Sequence, residues 1–439
     1  MRALAEWLDY QQRIHPRDVE LGLGRVGEVW RRMGAPRPAS VVVTVGGTNG
    51  KGSTVAFLEA MLAADGKRVG CYTSPHLLRY NERVRVCGAD VADAVLIDAF
   101  ERIESARKNI ALTYFEFGTL AGLWIFAHSE LDVAVLEVGL GGRLDAINII
   151  DADAAIVTTV DLDHMDWLGS DRDSIGREKA GIFRPRRPAI VGMRNPPQGL
   201  LAEAERIDAQ LLMAGRDFAV APQIDAWRWQ SNDKSDGRGA DADTASVTFA
   251  DPKLAGGWQI DNAAAAIAAL HALRERIGWN AHAIAAGVAT AKIAARVQRF
   301  VVACGPDLIV DVAHNPQAAD ALAHWLAQQR TQLHNLAVFG ALRDKDVGAV
   351  ILPLLAHIDT WFGADLHALT PRGLNRDELL QRMPASAAAA ISAHASVTEA
   401  LDAAAAAAGE SGQIIAFGSF FVAAAALEWA NGHGYRPAS

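Results

Sequence analysis

The stretch Val41-Val42-Val43-Thr44-Val45-Gly46-Gly47-Thr48-Asn49-Gly50-Lys51-Gly52-Ser53-Thr54 decides the fold. An apolar, β-branched run enters a glycine-rich turn and then a helical stretch, Thr54–Asp65, closed by Gly66. Glycines in such a turn let backbone N–H groups approach phosphate closely, Lys51 supplies positive charge, and the helix N-terminus adds its dipole. Thr48, Asn49, Gly50, Lys51, Gly52 and Ser53 are therefore candidate nucleotide-binding residues, and Ser53 or Thr54 would hold Mg²⁺. The ordinary G-x-x-x-x-G-K-[ST] pattern fails twice: Val45 stands five residues before Gly50, and Gly52 separates Lys51 from Ser53. The loop is a variant of the ordinary phosphate loop.

Outward from this loop, short β-branched runs alternate with helical stretches, which predicts an α/β fold with a mostly parallel sheet and crossover helices. Strands are expected at Val41–Val45, Val133–Val138, Ala154–Val160, Leu308–Val312, Leu336–Phe339 and Ile414–Phe417. Further helices are expected at Phe117–Ser129 and Asp261–Ile277. A second strand–helix series follows the Ala-rich stretch Ala281–Ala295. This divides the chain into a phosphate-loop domain over 1–295 and a smaller α/β, Rossmann-like domain over 296–439, with the cleft between lobes as a common place for substrate. The polar segment Ser231–Ser246 reads as a mobile surface loop.

Composition narrows the function classes. The 439 residues carry 42 Lys+Arg against 51 Asp+Glu, a formal charge of −9, with 51% hydrophobic and 21% charged residues. That balance excludes a disordered or fibrous chain. The absence of a basic footprint argues against a nucleic-acid partner, while an anionic small substrate remains compatible. Cys71, Cys87 and Cys304 show no zinc or disulfide spacing, and Glu6, Asp9 and Arg13 interrupt any secretory apolar core. No apolar run reaches the ~18–20 residues of a membrane span. A cytoplasmic monomer with no membrane partner is expected.

Individual residues add chemistry. Glu137 ends an apolar strand, where a carboxylate needs a metal or a counter-ion, and Arg143 is the alternative partner. Gly139-Leu140-Gly141-Gly142 fails as a dinucleotide fingerprint because Leu144 occupies a required glycine position. His164 follows a strand and is flanked by Asp161, Asp163 and Asp166, a setting for metal or acid–base work. Lys179, in Ser174-Ile-Gly-Arg-Glu-Lys-Ala-Gly, looks by itself like a solvated lysine. Asp311 and His314 follow a strand and suit ribose or phosphate contacts, although Asp311 or Asn315 could equally cap a helix at Pro316.

The loop GTNGKGS resembles the ATP loop of the Mur ligase superfamily. Tyr72-Thr-Ser-Pro-His-Leu77 with Asn81-Glu-Arg-Val84 is similar to the Ω-loop signature of the folylpolyglutamate synthase family. The resemblance continues through Leu112–Glu116, Leu136–Ala146, Asp161–His164, Gly176–Ile182 and Asp311–Pro316, in the family's order. It implies a Mur-ligase-like fold whose smaller domain is a glutamate-ligase domain. It also implies two Mg²⁺ sites built from Ser53, Ser74, Glu137 and His164, with Lys179 carbamylated to support the second, and K⁺ as a further candidate ion. Lys51, Lys179 and His164 become candidate catalytic residues, and Asn262, Arg296, Asp311 and His314 further ATP contacts. Ala294-Ala295-Arg296 departs from the family's Pro-Gly-Arg at the hinge.

The activity implied is ATP-dependent joining of L-glutamate to a pterin-bearing carboxylate through an acyl phosphate. Val19-Glu20-Leu21-Gly22-Leu23, Thr113-Tyr114-Phe115 and Asp145-Ala146 resemble the dihydropteroate pocket of the bifunctional bacterial type, making Glu20, Leu21, Thr113, Phe115, Asp145 and Ala146 candidate substrate residues. That type makes dihydrofolate from dihydropteroate and also extends tetrahydrofolates. Competing readings are a monofunctional folylpolyglutamate synthase, a Mur-type ligase acting on a UDP-sugar, and a non-catalytic nucleotide-binding protein.

Overall fold

Strand β1, Val41–Gly46, is buried at every residue, as a strand covered by helices on both faces must be. The computed structural model describes residues 2–17, 19–223, 226–232, 246–250, 256–329, 333–388, 391–410 and 412–438. These residues form two compact units, one with residues up to 250 plus Gln259–Lys292, the other with 256–258 plus residues from Ile293 onward.

In the first unit, β1 is followed by β2 (Val69–Tyr72), β3 (Val84–Val86), β4 (Ala89–Asp90), β5 (Val133–Glu137), β6 (Ala154–Val157), β7 (Pro188–Val191) and β8 (Gln210–Met213). They make one sheet in the order β4-β3-β2-β5-β1-β6-β7-β8. β2, β5, β1, β6, β7 and β8 run parallel, and β3 and β4 add an antiparallel edge. The register Val45↔Glu137 and Gly46↔Val157 puts the ends of β1, β5 and β6 side by side, at the edge where open α/β sheets bind ligands.

At the opposite edge Asp153, just before β6, is 3% exposed and holds the entry loops together. Its carboxylate pairs with Arg37, Arg187 and Arg276 and accepts from the Val42 N–H at 2.8 Å. Burial alone would raise its pKa, but the Arg276 hydrogen bond, the Val42 N–H and the other arginine charges hold it below the ordinary carboxylate value.

Several element ends differ from expectation for local reasons. The loop helix begins at Lys51, because Gly50 in left-handed geometry caps it. The expected helix Phe117–Ser129 runs instead over Tyr114–Ala127, started by a Thr113/Glu116 capping box. The expected helix Asp261–Ile277 is two helices, Trp258–Ala272 and Arg274–Ile277, separated at Leu273. An unanticipated antiparallel sheet joins β9 (Phe218–Gln223), β10 (Ala226–Ser231) and β11 (Ser246–Ala250), with Trp227 stacked on Phe249 at 4.6 Å. Ser231 and Ser246 are thus strand ends, and the rest of the expected loop, 233–245, lies outside the described residues.

The second unit has its own sheet: β12 (Gln298–Val301), β13 (Asp307–Val310), β14 (His334–Phe339), β15 (Thr360–Ala364), β16 (Ile391–His394), β17 (Gly412–Phe417) and β18 (Arg436–Pro437). The order is β16-β15-β14-β17-β13-β12-β18, parallel from β16 to β13 and antiparallel beyond. At its start Ala295, fully buried, has φ +55°. Alanine thus adopts the left-handed geometry that the hinge glycine of the resembled family would take without strain. Among the described residues no helix is long and apolar enough to cross a membrane, and the three cysteines are unpaired.

Asp153→Ala is expected to lower the unfolding free energy by about 2–3 kcal/mol at pH 7, because several charge-assisted hydrogen bonds are lost. The native carboxylate is the stronger acid, so its stabilisation is complete above the unfolded value of about 3.9 and disappears as pH falls through the lower native value. Urea titrations of both chains from pH 7 down to pH 2 should therefore converge in acid. A gap independent of pH would assign the loss to packing.

Candidate active site

The glycine loop is shaped by what it touches. Gly47 (φ +144°) lies so close to Thr158, and Gly50 (φ +86°) so close to Asn262, that a Cβ at either would overlap the neighbouring side chain. The end of β6 holds the loop by hydrogen bonds. Thr48 N–H donates to the Thr159 carbonyl at 2.8 Å, Asn49 N–H to Thr159 Oγ1 at 2.9 Å, and the Thr158 hydroxyl to the Asn49 carbonyl at 2.6 Å. Those backbone groups are committed to the fold. The N–H groups of Lys51, Gly52 and Ser53 open the helix and are what such a terminus offers an anion. Lys51 Nζ donates to the Gly47 and Thr48 carbonyls, both at 3.1 Å, over the same turn. Asn262, on the helix Trp258–Ala272, lies against Gly50 and donates to Gln259 Oε1 at 3.0 Å.

Around the loop stand four of the metal candidates. Glu137, 5% exposed at the end of β5, accepts the Ser74 N–H at 3.2 Å, so the sheet brings Ser74 and Glu137 together. Arg143 does not pair with Glu137. It pairs with Glu178 at 2.8 Å. Lys179 is no solvated lysine: on the helix Arg172–Ala180 it is 4% exposed and donates to the Gly47 carbonyl at 2.9 Å. Burial pushes its ammonium down to about 7, the Lys51 charge adds to the fall, and Asp163 opposes it. His164 caps a short helix in left-handed geometry (φ +50°), with Nε2 at 3.8 Å from Asp163 Oδ2. Among the described residues no three His, Cys, Asp or Glu side chains form a metal cage. A carboxylate, hydroxyls and an imidazole fit a hard divalent ion only where phosphate or other oxygens complete the shell.

The substrate candidates gather near the loops of the same unit. Arg25 links Glu20 to Glu116, meeting the latter at 3.1 Å, and the Gly22 N–H reaches the Leu144 carbonyl at 3.2 Å. Leu21 is half-buried within this segment. Phe115 packs over Gly139 and meets Tyr72 edge-on at 6.3 Å. Thr113 is the helix cap, with its hydroxyl accepting the Glu116 N–H at 3.2 Å and its own N–H donating to Glu116 Oε2 at 2.8 Å. Asp145, 2% exposed, accepts from the Leu140 and Ile147 N–H groups at 2.8 and 3.0 Å and precedes buried Ala146. Burial pushes its carboxyl up to about 6, against these N–H groups and the Lys51 charge.

In the second unit Phe420 gathers two candidates, Arg296 at 5.6 Å and His314 at 6.2 Å. Asp311 accepts the Val297 and Ala313 N–H groups at 2.8 and 2.7 Å, and burial raises its pKa despite Arg296. Asn315 is the residue that caps the helix starting at Pro316. Sequence reasoning missed Thr158, Thr159, Arg25 and Glu116 as parts of the site. The threonine pair directly after an expected strand was a usable signal, whereas Arg25 and Glu116 are 91 residues apart.

Residues 45–270 match the Mur ligase middle domain, and residues 295–420 match the Mur ligase glutamate ligase domain. Fold and loop thus define a Mur-type ligase. The dihydrofolate synthase/folylpolyglutamate synthase of Escherichia coli K12 is 42% identical over 425 residues, covering 97% of this chain and 95% of the relative. The structure of E. coli FolC in complex with DHPP and ADP superposes with a TM-score of 0.89 at 40% identity, covering 99% of each chain. A bifunctional folylpolyglutamate synthase/dihydrofolate synthase with Mn, AMPPNP and L-glutamate bound gives a TM-score of 0.86 at 40% identity over 98% of each. The chain belongs to the dihydrofolate synthase/folylpolyglutamate synthase family.

A lysine titrating near 7 when folded and about 10.4 when unfolded makes the unfolded state bind the extra proton between those values, so stability rises with pH across that window. Without nucleotide or metal, Lys179→Met is expected to stabilise the chain at pH 6–7, with the gain shrinking towards pH 10. Thermal unfolding of both chains across this range checks the sign.

Proposed function

We propose that the chain is an ATP-dependent acid–amino-acid ligase that adds L-glutamate to dihydropteroate, giving dihydrofolate, and to tetrahydrofolates, giving folylpolyglutamates. The observation that carries this reading is one sheet edge in one unit that places a phosphate loop, the Ser74–Glu137 pair and buried Lys179 beside Phe115 and Asp145. The activities named for the family's members and the ADP, DHPP and L-glutamate bound to them support it. Residues 1–295 act as the ATP-binding domain and 296–439 as the glutamate-ligase domain, in a monomeric cytoplasmic enzyme.

In the mechanism, the N–H groups of Lys51, Gly52 and Ser53 bind the terminal phosphates, and the Lys51 ammonium turns from the loop carbonyls to the transferring phosphoryl group. That group passes from ATP to the acceptor carboxylate. The glutamate amine attacks the resulting acyl phosphate and expels inorganic phosphate, with no side-chain nucleophile required. Thr48, Asn49 and Asn262 hold the loop and nucleotide in place, and Arg296, Asp311 and His314 add nucleotide contacts from their own unit. Glu20, Leu21, Thr113, Phe115, Asp145 and Ala146 bound the pterin-bearing acceptor.

Ser53, Ser74, Glu137, His164 and Lys179 would hold two Mg²⁺, which neutralise phosphate charge when bound. For that role Lys179 reacts as the neutral amine with CO₂, forming an N–C bond and releasing one proton, and its lowered pKa supplies the neutral form near pH 7.

Phosphate release from ATP plus glutamate tests the reading against dihydropteroate, tetrahydrofolate and a UDP-muramoyl acceptor. Turnover is expected with the first two. Turnover with tetrahydrofolate alone would make the chain monofunctional, and turnover only with the third, or with none, would remove the folate assignment. Lys179→Ala is expected to abolish ligation, and mass spectrometry of the intact wild-type chain to show a labile CO₂ adduct absent from the variant. Full activity in Lys179→Ala would take this residue out of the site.

A further inference from the structure

Arg83, at the end of the short turn Tyr80–Arg83, is 8% exposed. Its Nε donates to His76 Nδ1 at 2.8 Å, and its guanidinium lies over the rings of Tyr80 and Tyr114 at 5.3 and 5.5 Å. Its backbone carbonyl accepts the Thr73 N–H at 3.0 Å, which seats it beside the end of β2. Among the described residues no carboxylate forms an ion pair with it within 4.0 Å. The adjacent Glu82 is committed elsewhere, accepting the N–H groups of Leu77, Leu78 and Arg79 at 2.7, 2.9 and 2.8 Å. Aromatic faces and a neutral imidazole compensate a buried guanidinium only in part, and buried charges are otherwise paired.

The surroundings indicate what supplies the missing charge. Tyr72, paired in the sheet with Val84 next to Arg83, meets Phe115 edge-on on one side. Tyr72 also stands two residues before Ser74, whose N–H meets Glu137. Arg83 therefore adjoins the segment Tyr72–Ser74, one end of which meets Phe115, the ring expected to contact the pterin-bearing acceptor, and the other Glu137, expected near the transferring phosphoryl group. A guanidinium there presents a planar fork of donors matched to a carboxylate. His76 accepts through Nδ1, so its ring proton is on Nε2, which adds a donor to the same cluster.

We propose that Arg83 is the seat of the acceptor's carboxylate, holding it between Phe115 and the Ser74–Glu137 pair so that it faces the phosphoryl group. This assignment rests on the ligase reading above and adds a substrate-binding residue to it. An acceptor of the same shape without the negative charge is then discriminated against by Arg83.

The test titrates the full chain calorimetrically with dihydropteroate and with its primary carboxamide, in the wild type, Arg83→Gln and Arg83→Lys, with ATP affinity as the check on folding. The wild type is expected to prefer the carboxylate by about ten- to a hundredfold, the range of a charge-assisted hydrogen bond. Arg83→Gln should lose that preference while binding the carboxamide and ATP as the wild type does, and Arg83→Lys should recover part of it. In turnover, the acceptor KM should rise with the ATP KM unchanged. Equal weakening of both acceptors, no weakening of either, or loss of ATP affinity in both variants would overturn the proposal and leave Arg83 a structural residue. A wild type that turns over dihydropteroate alongside an unaffected Arg83→Gln removes only Arg83. A wild type that neither binds nor turns over any folate removes the ligase reading and this proposal with it.

Discussion

The approach of Gly47 to Thr158 and of Gly50 to Asn262 is the constraint on which the rest of the site depends. No side chain fits at either position, so the chain after β1 can turn inside the space left by the end of β6 and the helix Trp258–Ala272 only with glycine there. The turn brings Lys51, Gly52 and Ser53 to the start of a helix with their N–H groups unused by it. It also presents the Gly47 carbonyl to two lysines at once, Lys51 at 3.1 Å and Lys179 at 2.9 Å. Two ammonium groups on one carbonyl oxygen repel each other, and the buried one yields: Lys179 titrates near 7 because it is desolvated and because Lys51 is charged. A backbone requirement of two glycines thus becomes an electrostatic property of a residue 132 positions away.

A second consequence is that several residues with the look of substrate contacts hold the site's shape through most of their polar atoms. Thr113 and Glu116 satisfy each other across a helix start, Asp145 takes two backbone N–H groups, and Arg25 bridges Glu20 and Glu116. These hydrogen bonds fix the loops at 20–25, 113–116 and 139–146 relative to one another. What they leave for an acceptor is chiefly apolar area and planar faces, Phe115 foremost. Shape and stacking would then select the ring system, while charge recognition falls to residues nearer β2 and β5.

The parallel sheets were legible in the sequence because a strand covered on both faces must be largely apolar, and β1, β5, β6, β13, β14 and β17 each contain a run of at least three consecutive apolar residues. The glycine loop was legible because its chemistry is contiguous. The antiparallel sheet β9–β11 was overlooked although Trp227-Arg228-Trp229 and Val247-Thr248-Phe249 alternate buried and exposed residues as a one-sided sheet requires. The burial of Lys179, named as a site residue only through the family resemblance, and of Arg83 was illegible for a different reason. Nothing within several residues of either indicates burial, and their character comes from Gly47, Lys51, Tyr80 and Tyr114, which only the fold brings to them. The break at Leu273 was hidden because the alanine-rich sequence before it has high helix propensity and no proline or glycine marks the end.

The formal charge of −9 has a local counterpart. In the first unit Lys51, Lys179, Arg25 and Arg83 each relate differently to negative charge. Arg25 is neutralised by Glu20 and Glu116, Arg83 lies among tyrosines with no ion pair among the described residues, Lys51 rests on loop carbonyls, and Lys179 is driven towards neutrality. A site made of four full cations would bind phosphates but repel divalent ions. Deprotonating Lys179, and under the ligase reading converting it to a carboxylate, removes that repulsion beside Glu137 while leaving Lys51 for the phosphoryl group. Under the ligase reading, the burial that makes Lys179 a poor cation is what would let one edge of an acidic protein accommodate an anionic nucleotide and its metal ions together.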